Sequence, residues 1–167
     1  MKHSLAKLLL VLPAVVSGCV DPNGSASLAR SSAGSVADVD NVTVMSMPAA
    51  VNLDDAPEAD GVRLQVLLFQ LAKPQPVKVA GTLRFLLYEK RISPDEVRTR
   101  KPSLVWTYSG QKLARHVSKT RVGWGYAMEL RWGSRRPTSR LVSVVAEYQS
   151  PRGKSIYSRP VTIPLTK

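Results

Sequence analysis

The chain has 167 residues, of which 24 are Lys or Arg and 12 are Asp or Glu, so its formal net charge is +12 at pH 7. It contains one cysteine, which excludes an internal disulfide framework and a zinc site built from cysteines. This length and an apolar content of 44% suit one domain with a hydrophobic core of its own.

Residues 1–18 have the layout of a secretory signal peptide. Lys2, His3 and Lys7 form a basic start, and an apolar run over residues 8–16 follows, interrupted by Pro13. A membrane-spanning helix needs roughly 20 apolar residues. Because this run is about half that length and small residues follow it, the pattern predicts a cleaved signal peptide.

The signal segment ends in Val16-Ser17-Gly18-Cys19, which resembles the bacterial lipobox. The resemblance implies a diacylglycerol thioether on Cys19, cleavage before it and acylation of the new amino group. Two or more acyl chains anchor a protein stably, so we expect a lipid-anchored protein of the cell envelope, with its domain on the non-cytoplasmic side. Val20 in place of Asp favours the outer membrane over the inner, by analogy with enteric sorting. The alternative is a plain signal peptide with an unmodified cysteine.

Residues 19–40 predict a disordered tether behind the lipidated cysteine. They are rich in Ser, Gly, Ala and Asp and show no apolar period, so they cannot bury enough surface to offset the entropy of ordering. A flexible coil of this length spans about 25 Å. The charge is uneven, since residues 20–61 hold one basic and seven acidic residues, whereas residues 62–167 hold 21 basic and five acidic ones.

Residues 41–167 predict a domain of short β-strands separated by turns. Alternation of apolar and polar residues, or short apolar runs, mark the strands. The predicted strands are residues 42–47, 62–71, 81–88, 104–108, 125–132, 141–148 and 154–165, with 77–80 as an extension of a neighbouring strand. The alternation is clearest at 125–132, where Tyr126, Met128, Leu130 and Trp132 should share one face.

The segments between the strands carry turn signals and one helix signal. Ser93-Pro94-Asp95-Glu96 predicts a single short helical turn, whereas residues 109–112 predict a hairpin turn. Pro160 and Pro164 each remove a backbone donor, which predicts an edge position for the last strand. The seven or eight strands predict an all-β fold, an antiparallel β-sandwich, with a small closed barrel as the alternative.

The strand pattern resembles C2-like and transthyretin-like sandwiches. The whole layout resembles a group of planctomycete-type secreted lipoproteins of uncharacterised function. The stretches that carry the resemblance are the lipobox, the Ser-rich tether, the acidic loop running into Gly61-Val62-Arg63-Leu64, residues 81–88, and Trp124-Gly125-Tyr126. The resemblance implies a fold and a location in the cell envelope, but it implies no activity.

The sequence contains no evident catalytic constellation. His116 is the one histidine left after processing, and residues 114–118 hold no nucleophile turn of the kind that a Ser-His-Asp arrangement needs. We expect His116 at a surface or strand edge, and a small envelope hydrolase that uses it is the enzymatic alternative. Ser109 and Lys112 match a Ser-x-x-Lys spacing, but Gly110 and the preceding strand favour a turn.

Carboxylates offer one further candidate, a cation site. The acidic cluster is Asp54, Asp55, Glu58 and Asp60. Calcium takes six to eight oxygen ligands, and this cluster supplies some of them before a glycine, but Pro57 interrupts it. A solvated acidic turn is therefore the preferred interpretation, and we expect no cofactor besides the lipid on Cys19. Glu129 and Glu147 stand alone on separate strands, which gives no catalytic pair.

Two groups of basic residues are the remaining candidates for a binding site. They are Arg115, Lys119 and Arg121, and Arg135, Arg136 and Arg140. Such groups attract polyanions and anionic lipid headgroups, and the nearby Trp124 and Trp132 suit an interface. Nucleic acid is not expected as the main partner of an exported protein. We therefore expect a non-catalytic structural or binding module, with binding of anionic envelope polymers or lipids through a basic face as the alternative.

Overall fold

The computed structural model describes residues 38–54 and 57–165, which form two antiparallel β-sheets packed face to face. The predictions for the signal peptide, for the lipobox with Cys19 and for residues 19–37 of the tether lie outside these residues, as does Asp55. The predicted all-β sandwich is confirmed.

Nine strands and two short helices are present in this part of the chain. In chain order the strands are β1 (Asn41–Ser46), β2 (Gly61–Phe69), β3 (Thr82–Tyr88), β4 (Leu104–Ser109), β5 (Val117–Thr120), β6 (Gly123–Arg131), β7 (Leu141–Gln149), β8 (Ser155–Tyr157) and β9 (Val161–Pro164). A 3₁₀ helix covers Pro94–Arg98, and α1 covers Gly110–Ala114. The structure has more strands than the seven or eight predicted, for two reasons. β5 lies in a stretch where the sequence shows no clear pattern, and the last predicted strand is split into β8 and β9.

The first sheet has the order β1-β2-β6-β5, and the second has the order β4-β3-β7 with β8 and β9 both paired to the free edge of β7. Glu147 pairs with Tyr157 but Val144 pairs with Val161, so the register shifts by one residue between β8 and β9. At the shift the hydroxyl of Ser158 accepts a backbone N–H of β7 at 3.0 Å. The predicted edge position of this segment is confirmed, although it is interrupted.

The core lies between the sheets and follows the predicted alternation. Tyr126, Met128, Leu130 and Trp132 are all buried, as the pattern of β6 indicates. Alternate residues of β2, β3 and β7 supply most of the rest of this core, namely Val62, Leu64, Val66, Leu68, Leu83, Phe85, Leu87, Val142, Val144, Ala146 and Tyr148. Alternation buries one face of each strand, so one residue in two contributes.

The second sheet is buried on its outer face as well. A second apolar cluster there contains Leu86, Tyr88, Ile92, Val97 and Val145. The predicted helical turn supplies Val97, and its start is fixed by Glu96, whose carboxylate accepts the backbone N–H of Ser93 at 2.9 Å. This cover explains why Val145, on the outer face of β7, is buried.

Residues 109–112 were predicted as a turn, and this prediction is wrong. Gly110–Ala114 forms the short helix α1, for which Ser109 is the N-terminal cap residue. The physical reason is Leu113, which is 3% exposed and packs into the main core from the helix. One buried residue in five gives no periodic signal from which the helix could be predicted.

The folded domain begins before residue 41, where the tether was predicted to end. Val39 is 1% exposed and belongs to the main core. Asp40 donates its backbone N–H to the carbonyl of Phe69 at 2.9 Å. Val39 lies among polar residues and so lacks a strand pattern, which is why composition alone places it in the tether.

The sandwich has two ends, which differ in the segments that connect the strands. We call the end where the described chain begins the entry end, and it comprises residues 38–40, 70–81, 110–122 and 150–154. The far end comprises residues 47–60, 89–103 and 132–140, which leave and rejoin the strands on the opposite side.

Candidate functional site

The loop between β2 and β3 shapes the entry end. It folds back so that the N–H of Val77 donates to the carbonyl of Leu68 at 2.8 Å and the N–H of Val79 donates to the Tyr126 hydroxyl at 3.0 Å. Residues 77–80 are therefore held by separate hydrogen bonds to Leu68 and Tyr126. The prediction that they extend a neighbouring strand is wrong. The loop also packs against the β5–β6 hairpin, where a Cβ on Gly123 would lie 2.8 Å from Pro76.

Three apolar side chains protrude from this end. Leu71 is 92% exposed, Val122 is 55% exposed and Trp124 is 39% exposed. Trp124 has the inward parity of Tyr126, but it is the second residue of β6 and is not part of the main core. Alternation therefore places Trp124 on the inward face of the sheet, but at a position where core side chains do not cover it.

Basic side chains surround these apolar residues. The Nζ atom of Lys78 lies 3.5 Å from the centroid of the Trp124 ring, and Lys119 is the direct cross-strand neighbour of Trp124. Arg121 precedes Val122 at the hairpin tip, and Lys73 follows Leu71 in the adjacent loop. A cation over an indole ring is an attractive arrangement that keeps both groups at the surface.

The entry end carries an excess of positive charge. Its segments contain eight basic and two acidic residues, a net charge of +6. Asp38 and Asp40 lie 3.8 Å from Arg152 and Lys154, respectively. The other six cations form no ion pair among the described residues, and they are Lys73, Lys78, Lys112, Arg115, Lys119 and Arg121.

The two predicted basic groups lie at different ends and do not form one surface. Arg115, Lys119 and Arg121 belong to the entry end, whereas the group of Arg135, Arg136 and Arg140 lies in the β6–β7 loop at the far end. The nine residues of β6 separate the hairpin tip from that loop, a distance of roughly 30 Å. Arg136 is also ion-paired with Glu58. Trp132, expected near an interface, is 5% exposed and part of the core.

The acidic cluster that was considered as a calcium site has carboxylates that contact arginines and a backbone N–H group. Asp60 accepts the N–H of Leu53 at 2.6 Å and lies 3.6 Å from Arg131, while Glu58 pairs with Arg136. Within residues 38–54 and 57–165, no group of three or more His, Cys, Asp or Glu side chains is arranged to hold a metal ion. Calcium binding stays the less favoured alternative to a solvated acidic turn, and two of its candidate ligands, Glu58 and Asp60, already contact arginine.

His116 lies beside an open groove of about 520 Å³ between β4 and the start of β5. Its Nδ1 atom is 3.1 Å from the carbonyl oxygen of Ala127, and its ring meets Tyr108 edge-on with centroids 5.0 Å apart. Lys112 and Arg115 also line the groove. His116 is partly buried at a strand edge, as expected, and its described contacts are aromatic and backbone groups.

The two strand carboxylates that were examined as a catalytic pair lie on different sheets. Glu129 is on β6 and pairs with Arg63 at 2.7 Å at the surface. Glu147 is on β7, where it accepts hydrogen bonds from Arg84 at 2.8 Å and from the hydroxyl of Tyr157 at 2.9 Å. Burial and the hydrogen bond to Glu147 raise the pKa of Tyr157. Because each carboxylate lies on the outer face of its own sheet, the two do not share a cleft.

Sequence reasoning found part of the entry-end surface. It grouped Arg115, Lys119 and Arg121 and noted Trp124, but it missed Leu71 and the lysines of the β2–β3 loop. The available signal was the stretch of residues 110–128, which contains four basic residues and no Asp or Glu.

Comparisons of the chain with family models, with curated proteins and with solved structures find no match. In the part of the chain that the structure describes, no helix has the length and apolar character needed to cross a membrane.

Proposed function

We propose that this chain is a lipid-anchored lipoprotein of the cell envelope whose β-sandwich acts as a non-catalytic binding module. The observation that carries the proposal is Val16-Ser17-Gly18-Cys19 directly behind a short apolar run. The burial of Val39 supports it, because a polar segment of residues 20–38 is then left to link the lipid to the first core residue.

Replacement of the cysteine tests the anchor. Cys19→Ala should move the protein from the membrane fraction to the soluble fraction and remove the lipid mass that is expected on the intact wild-type protein. Ser17→Ala is the matched control, since it keeps a small residue in the lipobox and should leave both results unchanged. A membrane pool of Cys19→Ala equal to that of the wild type would refute lipid anchoring.

A second candidate function is binding of anionic surfaces through the entry end. The supporting observation is the set of six basic side chains that form no ion pair among the described residues. Unpaired surface cations attract polyanions and anionic headgroups, and the attraction weakens as salt screens it.

Charge reversal at either end tests this second function. Lys119→Glu combined with Arg121→Glu should elute from an anionic column at clearly lower salt than the wild type. Arg135→Glu combined with Arg140→Glu makes the same change in net charge at the far end and should shift the elution less. Equal shifts for the two double variants would show that net charge, and not the entry end, determines retention.

A further inference from the structure

We propose that the entry end docks directly onto an anionic lipid bilayer. Leu71, Val122 and Trp124 enter the headgroup region, while Lys73, Lys78, Lys119 and Arg121 contact lipid phosphates. The inference rests on the proposed envelope function for its biological setting, but the contact itself does not require the lipid on Cys19.

The apolar part of the argument comes from exposure. Leu71 and Val122 project from neighbouring loops that are joined by the packing of Pro76 against Gly123. Leu71 leaves almost its whole side chain in contact with water at 92% exposure. Aliphatic side chains on loop tips gain free energy when they leave water, and the acyl boundary of a bilayer offers that environment.

Trp124 adds a residue type that suits the bilayer interface. Its ring is partly exposed and carries Lys78 on one face, and its indole N–H has no hydrogen-bond partner among the described residues. The two other tryptophans differ, because the indole N–H groups of Trp106 and Trp132 donate to backbone carbonyls. An amphipathic indole prefers the headgroup level, where its ring and its N–H are both satisfied.

Charge complementarity identifies the lipid as anionic. Four cations lie around the three apolar side chains, and the two segments that carry them, residues 70–81 and 117–124, contain no carboxylate. Lysine and arginine side chains at such a rim can extend to phosphate oxygens while their methylene groups cover apolar surface. A hydrated anionic polymer would satisfy the cations but would leave Leu71 and Val122 in water, so a bilayer accounts for both features.

The described chain begins on the same side. Asp40 accepts the backbone N–H of Leu71 at 2.8 Å, so residues 38–40, where the described chain begins, lie beside the exposed leucine. The tether predicted from the sequence would span about 25 Å as a flexible coil, which would keep the entry end within reach of the bilayer. A short flexible link raises the effective concentration of the two surfaces, so a weak direct contact is sufficient.

Vesicle binding of the chain from residue 19 onward, with Cys19→Ala, tests the docking without a lipid anchor. This chain contains every residue that the structure describes. It should sediment with vesicles of phosphatidylglycerol and phosphatidylcholine, release at high salt, and not sediment with phosphatidylcholine alone. No sedimentation with the anionic vesicles at low salt would overturn the proposal, whatever the outcome of the anchoring experiment.

Side-chain variants separate a bilayer from an anionic polymer. Leu71→Ser combined with Val122→Ser should lower the vesicle partition coefficient by about tenfold while leaving retention on an anionic polymer column unchanged. Met47→Ser is the control, because Met47 is 46% exposed but lies at the far end. If the double variant binds vesicles as well as the Met47→Ser control does, and the melting transitions of all three proteins agree, the contact is with charge alone and the bilayer proposal fails.

Discussion

The entry end and the far end of the sandwich have equal numbers of basic residues in their connecting segments, eight each, but different numbers of acidic ones. The far-end segments contain seven acidic residues, whereas the entry-end segments contain two. At the far end Glu58 pairs with Arg136 and Glu96 pairs with Arg100. The number of cations therefore does not distinguish the two ends; the number of carboxylates does.

The two ends also differ in how they cover a tryptophan, Trp124 at the entry end and Trp132 at the far end. Trp124 and Trp132 have the same parity along β6 and its continuation, yet Trp124 is 39% exposed and Trp132 is 5% exposed. Trp132 packs against Trp106 with ring centroids 6.5 Å apart. Alternation along a strand therefore determines the face of the sheet on which a side chain lies. The position of the residue along the strand determines whether other side chains cover it.

The largest expected effect separates these two tryptophans. Trp132→Ala should lower the free energy of unfolding by about 3–5 kcal/mol, because it empties a buried site. Trp124→Ala should change it by about 0.5 kcal/mol or less, as is typical of surface positions. Urea denaturation of both variants measures the difference. Similar losses would mean that Trp124 supports the fold as much as Trp132 does.

Two glycines with positive φ give the next largest effect, one at each end. Gly123 has φ +139°, and a Cβ there would lie 2.8 Å from Pro76, whereas Gly133 has φ +60° and open space around it. Gly123→Ala should cost about 1–3 kcal/mol of stability and displace the β2–β3 loop. Gly133→Ala should cost about 1 kcal/mol, the penalty of the left-handed region. Thermal unfolding of the two variants ranks them, and a reversed order would contradict the described packing of the hairpin tip.

A smaller effect concerns the tyrosines that hold the entry-end loop. The Tyr148 hydroxyl donates to the carbonyl of Ala80 at 2.6 Å, so Tyr148→Phe should cost about 1 kcal/mol. Burial raises the pKa of Tyr148 and of Tyr126 above the ordinary value of 10.0. A raised pKa means that the fold favours the neutral hydroxyl, so this stabilisation is complete below pH 10 and is lost as the pH rises through the folded pKa.

Ultraviolet titration of tyrosinate checks this sign. The pKa is raised for all five tyrosines, which are Tyr88, Tyr108, Tyr126, Tyr148 and Tyr157. At pH 10 the folded protein should therefore show less tyrosinate than the same protein unfolded in urea. Equal ionisation in the two states would contradict the described burial.

The smallest expected effect on stability comes from single arginines. Arg136→Ala removes an exposed ion pair and should cost less than about 1 kcal/mol, and Arg121→Ala, which removes no described ion pair, should cost less still. The two variants should differ in retention on an anionic column, where Arg121→Ala loses more. Equal losses of retention would place both arginines in equivalent electrostatic surroundings.

Much of the fold could be predicted because alternation reports burial directly. The strand β6 and the proline-interrupted edge segment follow from local pattern, and so does the helical turn started by Ser93 and Glu96. The helix α1 could not be predicted, because Leu113 is its one buried residue. The entry-end surface also has no local pattern, since Leu71 and Trp124 are 53 positions apart in the sequence and come together through the packing of the β2–β3 loop on the β5–β6 hairpin.

The central proposal is that the entry end faces an anionic bilayer. Quenching of tryptophan fluorescence by lipids brominated on their acyl chains tests it most directly, because Trp124 is at the entry end while Trp106 and Trp132 pack against each other elsewhere in the sandwich. If the entry end docks on the bilayer, the fluorescence of the wild-type protein should be quenched on anionic vesicles, and this quenching should be lost in Trp124→Phe. Quenching that persists unchanged in Trp124→Phe, or none in the wild type, would contradict it.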